Sequence, residues 1–257
     1  MNTRMLIAIT KYSVLEAIRD RFLLFVIIGV EIIFGLSLFV GELAITEARE
    51  IQTAILGSSF RLFTVFTISL FVINSMLREF NDKGFELILS HPVPRWVYYL
   101  AKLSGFMVVA LIVVSLVICN LIIYVPFSNL IFWSISLLCE ISIVISLSLA
   151  ALYSFNNVTI SFSLVFSFYL LARTIESILL ISSSPIVATT SLSHKFIDWM
   201  IASIAYILPG LYQFTQTDWL VYGFSSYSEL VNVIGQTVIY VLFLSSIAIY
   251  DLYRKEL

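Results

Sequence analysis

Side chains that could do chemistry are few in this sequence, and they do not form the pattern of a catalytic centre. The two histidines, His91 and His194, stand apart, and no HExxH or acid-rich metal motif is present. Cys119 and Cys139 lie within apolar runs and form no ligand or disulfide pattern. The sequence also lacks the GxxxxGK[ST] loop that holds ATP phosphates. We therefore expect no catalytic residue, no metal site and no cofactor bound by this chain.

The composition is that of an integral membrane protein. Apolar residues make up 60% of the chain and charged residues 12%, whereas about a quarter of the residues of a globular protein are charged. Apolar runs of about 20 residues recur, which is the length that a helix needs to cross a bilayer. The net charge of -2 gives no reason to expect a nucleic-acid partner.

These runs predict an all-α polytopic membrane protein with six transmembrane helices in a single domain, residues 1–257. Residues 1–21 predict an N-terminal interfacial helix. Residues 196–208 are apolar but too few to cross a bilayer, so we expect short outer helices before span 6. The alternative is a seventh span here, which would place Arg254 and Lys255 on the outer side, against the distribution of Lys and Arg. The predicted spans are residues 22–40, 54–76, 104–125, 131–153, 158–180 and 231–250.

The positions of Lys and Arg predict the orientation. Ten of them flank the spans on the side that holds both termini and the segment between spans 2 and 3, whereas only Arg49 and Lys195 lie on the other side. Because cytoplasmic loops are enriched in Lys and Arg, we expect both termini and this segment to be cytoplasmic. The expected location is the cell (inner) membrane.

Five ionisable residues lie within the predicted spans. A charge at the centre of a bilayer costs about 3 kcal/mol or more unless it is paired or hydrated, so we expect partners for each. Counted at about 1.5 Å per residue, Glu31 and Arg61 reach depths at which they could meet. Glu140 and Arg173 likewise reach similar depths. The five residues are Glu31, Arg61, Glu140, Arg173 and Glu176.

The segment from Arg78 to Lys102 carries seven of the chain's thirty charged side chains. As a helix, residues 78–90 would place Glu79, Lys83 and Glu86 on one face and apolar residues on another, which predicts an amphipathic helix on the inner membrane surface. Pro92 and Pro94 would end it. A solvated connector that fixes topology is the plainer interpretation of such a segment.

This segment resembles the link between spans 2 and 3 in the membrane subunits of ABC-2 type ABC transporters. That link contains an acidic residue, a Gly-Thr-x-Glu element, a leucine pair, a proline, an arginine and a lysine that opens span 3. The present chain lacks the threonine, since Phe85 follows Gly84 directly. The corresponding residues are Glu79, Gly84, Glu86, Leu87, Leu89, Pro92, Arg95 and Lys102.

The resemblance implies a permease subunit that couples ATP hydrolysis in a separate ABC ATPase subunit to export of a lipid-like or amphipathic substrate. It implies a second permease subunit, identical or different, and ATP and Mg in the partner ATPase. Membrane lipids are the other expected partners. The link would act as the coupling helix through Glu79, Lys83, Gly84, Glu86, Pro92 and Arg95.

Two other functions remain open. The buried Glu and Arg residues would be the relays of an ion-coupled secondary transporter, although no clear repeat is visible. An intramembrane enzyme is the third, and the scattered carboxylates and histidines give it little support. The intramembrane charges themselves could fix helix packing, or they could line the transport path and close its outer gate.

Overall fold

The computed structural model describes residues 2–43, 48–82, 94–183, 192–223 and 227–254. Within these ranges the chain is all-helical, and six helices are long and apolar enough to cross a membrane, as predicted. Those six are α2 to α6 and α9. The helices are α1 (Asn2–Arg19), α2 (Phe22–Leu43), α3 (Ala48–Asn81), α4 (Arg95–Leu121), α5 (Phe127–Phe155), α6 (Val158–Ser183), α7 (Leu192–Ile207), α8 (Asp218–Val221) and α9 (Tyr227–Arg254), with a 3₁₀ turn at Leu211–Gln213.

Helix α3 is longer than the span predicted from its apolar run. Its 34 residues extend about 51 Å, against a hydrocarbon core of about 30 Å. A helix does not need to end where the bilayer does, and here it continues through Asn81. The predicted surface helix therefore does not begin at residue 78, because Arg78 and Glu79 belong to the last turn of α3. Residues 83–90 of that predicted helix lie outside the described residues.

The turn between α5 and α6 is made by two asparagines. Asn156 ends α5 in the left-handed conformation, with φ of 53°, which asparagine tolerates better than most residues. The Asn157 side chain accepts hydrogen bonds from the backbone N–H groups of Thr159 and Ile160 and so caps α6. The turn falls between the two spans predicted from the sequence, residues 131–153 and 158–180.

Helix α5 is the central element of the bundle. It packs against α3, α4, α6 and α9. In an apolar stretch of 18 residues, 78% of the residues of α5 are buried, against 17% for the peripheral α2. Three of its buried serines, Ser134, Ser146 and Ser148, bond to backbone carbonyls of their own helix, for example Ser148 to Val144 at 2.7 Å. These bonds satisfy the hydroxyls without a partner helix and allow close helix packing.

Helix α1 packs closely along the first half of α4. Gly105 makes this possible, since a Cβ added there would lie 2.8 Å from the side chain of Ser13. The hydroxyls of Thr10 and Ser104 lie 2.9 Å apart across the same contact. The other face of α1 exposes Ile7 and Leu15. One face of α1 is thus bound to the bundle and the other is apolar and open.

Candidate functional site

The charged segment between α3 and α4 is fixed to the bundle on both of its described flanks. On the α3 side, Arg78 donates a 2.6 Å hydrogen bond to Glu16 of α1 and also forms an ion pair with Asp20. Ser75 donates a second hydrogen bond to Glu16, at 2.8 Å. The Glu16 side chain is 4% exposed and that of Arg78 is 44% exposed, so the end of α3 and the end of α1 are joined by a charge pair in which only the carboxylate is buried.

The second contact joins α3 to α4 inside the bundle. Glu79 forms an ion pair with Lys102, whose side chain is 0% exposed against 9% for Glu79. Tyr98 donates a 2.8 Å hydrogen bond to the same carboxylate, and the Lys102 ammonium lies 5.5 Å from the centre of the Tyr12 ring. The Glu79 carboxylate is therefore almost completely buried and is paired within the bundle.

The third contact ties the start of α4 to the end of α9. Arg95 donates hydrogen bonds to the backbone carbonyls of Leu252 at 2.6 Å and Tyr253 at 3.0 Å. These carbonyls belong to the last turn of the helix, where backbone acceptors are unsatisfied and the helix dipole is negative. Arg95 therefore acts as a cationic cap for α9, and this role was not evident from the sequence.

Four of the residues predicted for coupling, Lys83, Gly84, Glu86 and Pro92, lie outside the described residues. The two that the structure describes, Glu79 and Arg95, stand at the two ends of the segment and bond to the bundle. The contacts at the base of the segment also involve residues that the sequence did not single out for coupling. Tyr98 bonds to Glu79, whereas Glu16 and Asp20 pair with Arg78, and Ser75 bonds to Glu16. The i,i+4 spacing of Glu16 and Asp20, which places both carboxylates on one face of α1, was the signal for them in the sequence.

A second polar cluster lies within the bundle around Glu140 of α5, a fully buried carboxylate. Tyr169 of α6 donates a 2.8 Å hydrogen bond to one of its oxygens, and Thr215 donates to the other. Arg173 of α6 lies 4.0 Å from the first oxygen. The sequence-based expectation that Glu140 and Arg173 lie at similar depths agrees with this contact.

Two arginines bond to residues 211–215, which comprise the 3₁₀ turn and the two residues after it. Arg173 donates to the carbonyls of Leu211 and Phe214, the latter at 2.8 Å. Arg61 of α3 donates to the carbonyl of Thr215 at 3.1 Å, and the N–H of Thr215 bonds to Ser136 of α5 at 2.9 Å. Thr215 is fully buried and has a φ of 43°.

Residues 211–215 are consequently inserted between α3, α5 and α6. Counted along α5 from Phe127, Glu140 lies about 20 Å from the helix end. A backbone segment at that depth needs hydrogen-bond partners from the protein, since the hydrocarbon core offers none. The two arginines and Ser136 supply them to the backbone, and Glu140 accepts a hydrogen bond from the Thr215 hydroxyl. Residues 211–215, held by this cluster, can therefore block this end of the bundle.

Glu31 and Glu176 do not belong to this cluster. Glu31 is exposed on α2 and Glu176 is half-buried on α6, and neither forms an ion pair within the part of the chain that the structure describes. The expected meeting of Glu31 with Arg61 is therefore wrong. Counting residues gives depth along a helix but not its rotation, and here Glu31 is exposed on α2 whereas Arg61 donates to the carbonyl of Thr215.

Neither cluster has the composition of a metal centre. Among the described residues, no group of three or more His, Cys, Asp or Glu side chains could hold a metal ion. The first cluster has three carboxylates and the second has one, together with arginine, lysine, hydroxyl and backbone groups, and this composition is suited to holding helices and loops together. Their chemistry is that of ion pairing and hydrogen bonding.

Comparison with known proteins finds no family model that matches the chain and no curated protein that matches its sequence.

Proposed function

We propose that this chain is the membrane-spanning permease subunit of an ABC exporter. In this proposal it couples ATP hydrolysis in a separate ATPase subunit to the movement of a lipid-like or amphipathic substrate. The cell membrane is its location, both termini and the segment between α3 and α4 are cytoplasmic, and a second permease subunit completes the assembly. ATP and Mg bind to the ATPase partner.

The observation that carries the proposal is the double attachment of the segment between α3 and α4. Its α3 flank bonds to α1 and α4 through Arg78 and Glu79, and its α4 flank bonds to α9 through Arg95. A force applied to this segment by a soluble partner would therefore reach four helices at once. A simple solvated connector has no need of a buried ion pair at its base, such as that of Glu79 with Lys102, because a buried pair carries a desolvation cost.

The cluster around Glu140 has a place in this proposal as the outer closure. Opening a path at that end of the bundle requires residues 211–215 to move, which breaks the bonds that Arg61 and Arg173 make to their carbonyls. The carbonyls that lose their arginine donors then need new donors, and only water or a polar group of the substrate can provide these at low cost in free energy. The intramembrane charges would then act both in packing and in gating.

Association with an ATPase is the direct test. The chain is co-expressed with a P-loop ATPase subunit encoded beside it, and both co-purification and ATP hydrolysis are measured. The double charge reversal Lys83→Glu with Glu86→Lys is expected to reduce association at least about tenfold. The matched control is Glu50→Lys, an exposed acidic residue at the opposite end of α3. Association that survives the double reversal unchanged, or no association at all, would overturn the coupling proposal.

The gate is tested separately with the assembled pair. Arg173→Gln is expected to raise ATP hydrolysis in the absence of substrate and to weaken its coupling to transport, because residues 211–215 lose two hydrogen bonds. Glu176→Gln, on the same helix but outside the cluster, serves as the control. If the two variants transport and hydrolyse ATP like the unmodified chain, the cluster has a packing role alone.

The buried carboxylate of Glu140 is the observation that favours the second candidate, an ion-coupled secondary transporter, since such transporters use intramembrane acids as relays. The chain reconstituted alone in liposomes distinguishes the two. Transport driven by an imposed proton or sodium gradient, without ATP or a partner, would favour this candidate over the first.

A further inference from the structure

A groove of about 630 Å³ opens between the start of α2 and the last four turns of α3. It lies at the end of the bundle that holds the contact of Arg78 with Glu16. From Thr67 to Asn81 it follows α3 for about 21 Å. Its deeper part is apolar and its end is polar. The apolar walls are Phe22, Phe25, Leu70, Phe71 and Leu77.

The polar end of the groove carries two charges of each sign, on Asp20, Arg21, Arg78 and Asp82. Arg78 is already compensated by Asp20 and Glu16. Arg21 and Asp82 are both exposed, and neither has an ion pair within the described ranges of the chain. One cationic and one anionic group are thus available at the same end of an apolar groove.

An amphiphile with both signs of charge in its headgroup fits these features. We propose that the groove binds a glycerophospholipid whose headgroup carries a phosphate and a primary amine, with an acyl chain along α3. Arginine binds phosphate oxygens through paired N–H donors, so Arg21 is assigned to the phosphate. A primary ammonium donates hydrogen bonds to a carboxylate, so Asp82 is assigned to the amine.

The assignment distinguishes three lipid classes. A phosphatidylcholine headgroup has the same net charge, but its quaternary ammonium has no N–H to donate to Asp82. A phosphatidylglycerol headgroup satisfies Arg21 but is repelled by Asp82. Phosphatidylethanolamine satisfies both residues. This proposal concerns the chain by itself and does not depend on ATP-driven transport.

Native mass spectrometry of the full chain in detergent, titrated with the three lipids with identical acyl chains, tests the proposal. We expect phosphatidylethanolamine to bind best. Arg21→Asn should weaken its binding about tenfold, while Arg21→Lys should retain much of it. Asparagine is chosen because Arg21 has a φ of 58°, which asparagine adopts more readily than other uncharged side chains except glycine. Arg19→Asn, which alters an exposed arginine outside the groove, is the control.

Two further variants make the outcome decisive. Asp82→Asn should lower binding of phosphatidylethanolamine and raise that of phosphatidylglycerol, and Leu70→Trp should reduce binding of all three by filling the apolar part. Equal binding of the three lipids, or equal binding by the Arg21→Asn and Arg19→Asn variants, would overturn the proposal. So would a preference for phosphatidylglycerol that Asp82→Asn leaves unchanged. Lipid binding without ATPase association would leave this proposal standing and reject the proposed function.

Discussion

Glu79 and Lys102 form an ion pair in which the lysine is completely buried and the carboxylate nearly so. The pair joins the last turn of α3 to the second turn of α4, on either side of the charged segment that separates them. Tyr98 and Tyr12 complete its surroundings. Removal of one partner from a buried pair leaves an uncompensated charge, which is more costly than removal of both.

Replacement of Lys102 by Met should therefore destabilise the chain by about 3 to 5 kcal/mol. The double variant with Glu79→Gln should recover a large part of that loss, because no buried charge remains. Thermal unfolding of the purified chain in detergent measures both. Lys11→Met, on the exposed face of α1, is the control and should have an effect within about 0.5 kcal/mol. A double variant no more stable than Lys102→Met would show that the two charges are not coupled.

The contact of α1 with α4 depends on the absence of a side chain at Gly105. Gly105→Val would force atoms into the space of Ser13 and the backbone of Thr10, which should cost about 1 to 3 kcal/mol and loosen α1. Limited proteolysis of α1 is the measurement, and faster cleavage is expected. Gly35→Val in α2 adds the same atoms where no other group lies within 4 Å, so its cleavage rate should match that of the unmodified chain. Equal rates for the two variants would contradict the proposed packing.

Glu140 compensates Arg173 within the bundle. Its replacement by Leu removes the acceptor of the Tyr169 and Thr215 hydroxyls and should destabilise the chain by about 3 to 5 kcal/mol. Glu140→Gln keeps a hydrogen-bonding side chain and should be milder. Glu31→Leu, which alters an exposed glutamate in α2, is the comparison and should be close to neutral. Unfolding midpoints that rank these variants in any other order would argue against a structural role for the Glu140 cluster.

The hydroxyl of Thr215 fixes the inserted segment to Glu140. Thr215→Val keeps the shape of the side chain and its branching at Cβ, so its effect reports the hydroxyl alone. A hydrogen bond to a charged group contributes about 1.5 to 3 kcal/mol. Hydrogen exchange of residues 211–215 should accelerate in this variant and remain slow in Thr215→Ser. Thr174→Val, at an exposed hydroxyl that bonds only within its own helix, is the control, and exchange as slow in Thr215→Val as in this control would contradict the assignment.

The helices themselves could be predicted from the sequence because apolar runs of about 20 residues have few alternatives in a bilayer. Their ends could not, since α3 continues beyond its apolar run into Arg78 and Glu79. Counting residues gave the depth of Glu140 and Arg173 but gave no rotation for α2, so the pairing of Glu31 with Arg61 failed. Thr215 lay beyond prediction because its position depends on an irregular backbone and on contacts with three helices that are distant in the sequence.

The position of Thr215 in the chain has a consequence for how the protein enters the membrane. Glu140 precedes the residue that completes its hydrogen bonding by 75 positions. At synthesis rates of about 5 to 20 residues per second, Thr215 is added to the chain about 4 to 15 s after Glu140. During that interval α5 carries an acid without its full set of partners, which favours a position near the lipid headgroups. Final seating of α5 is therefore a late event in biogenesis, after α6 and residues 211–215 have been made.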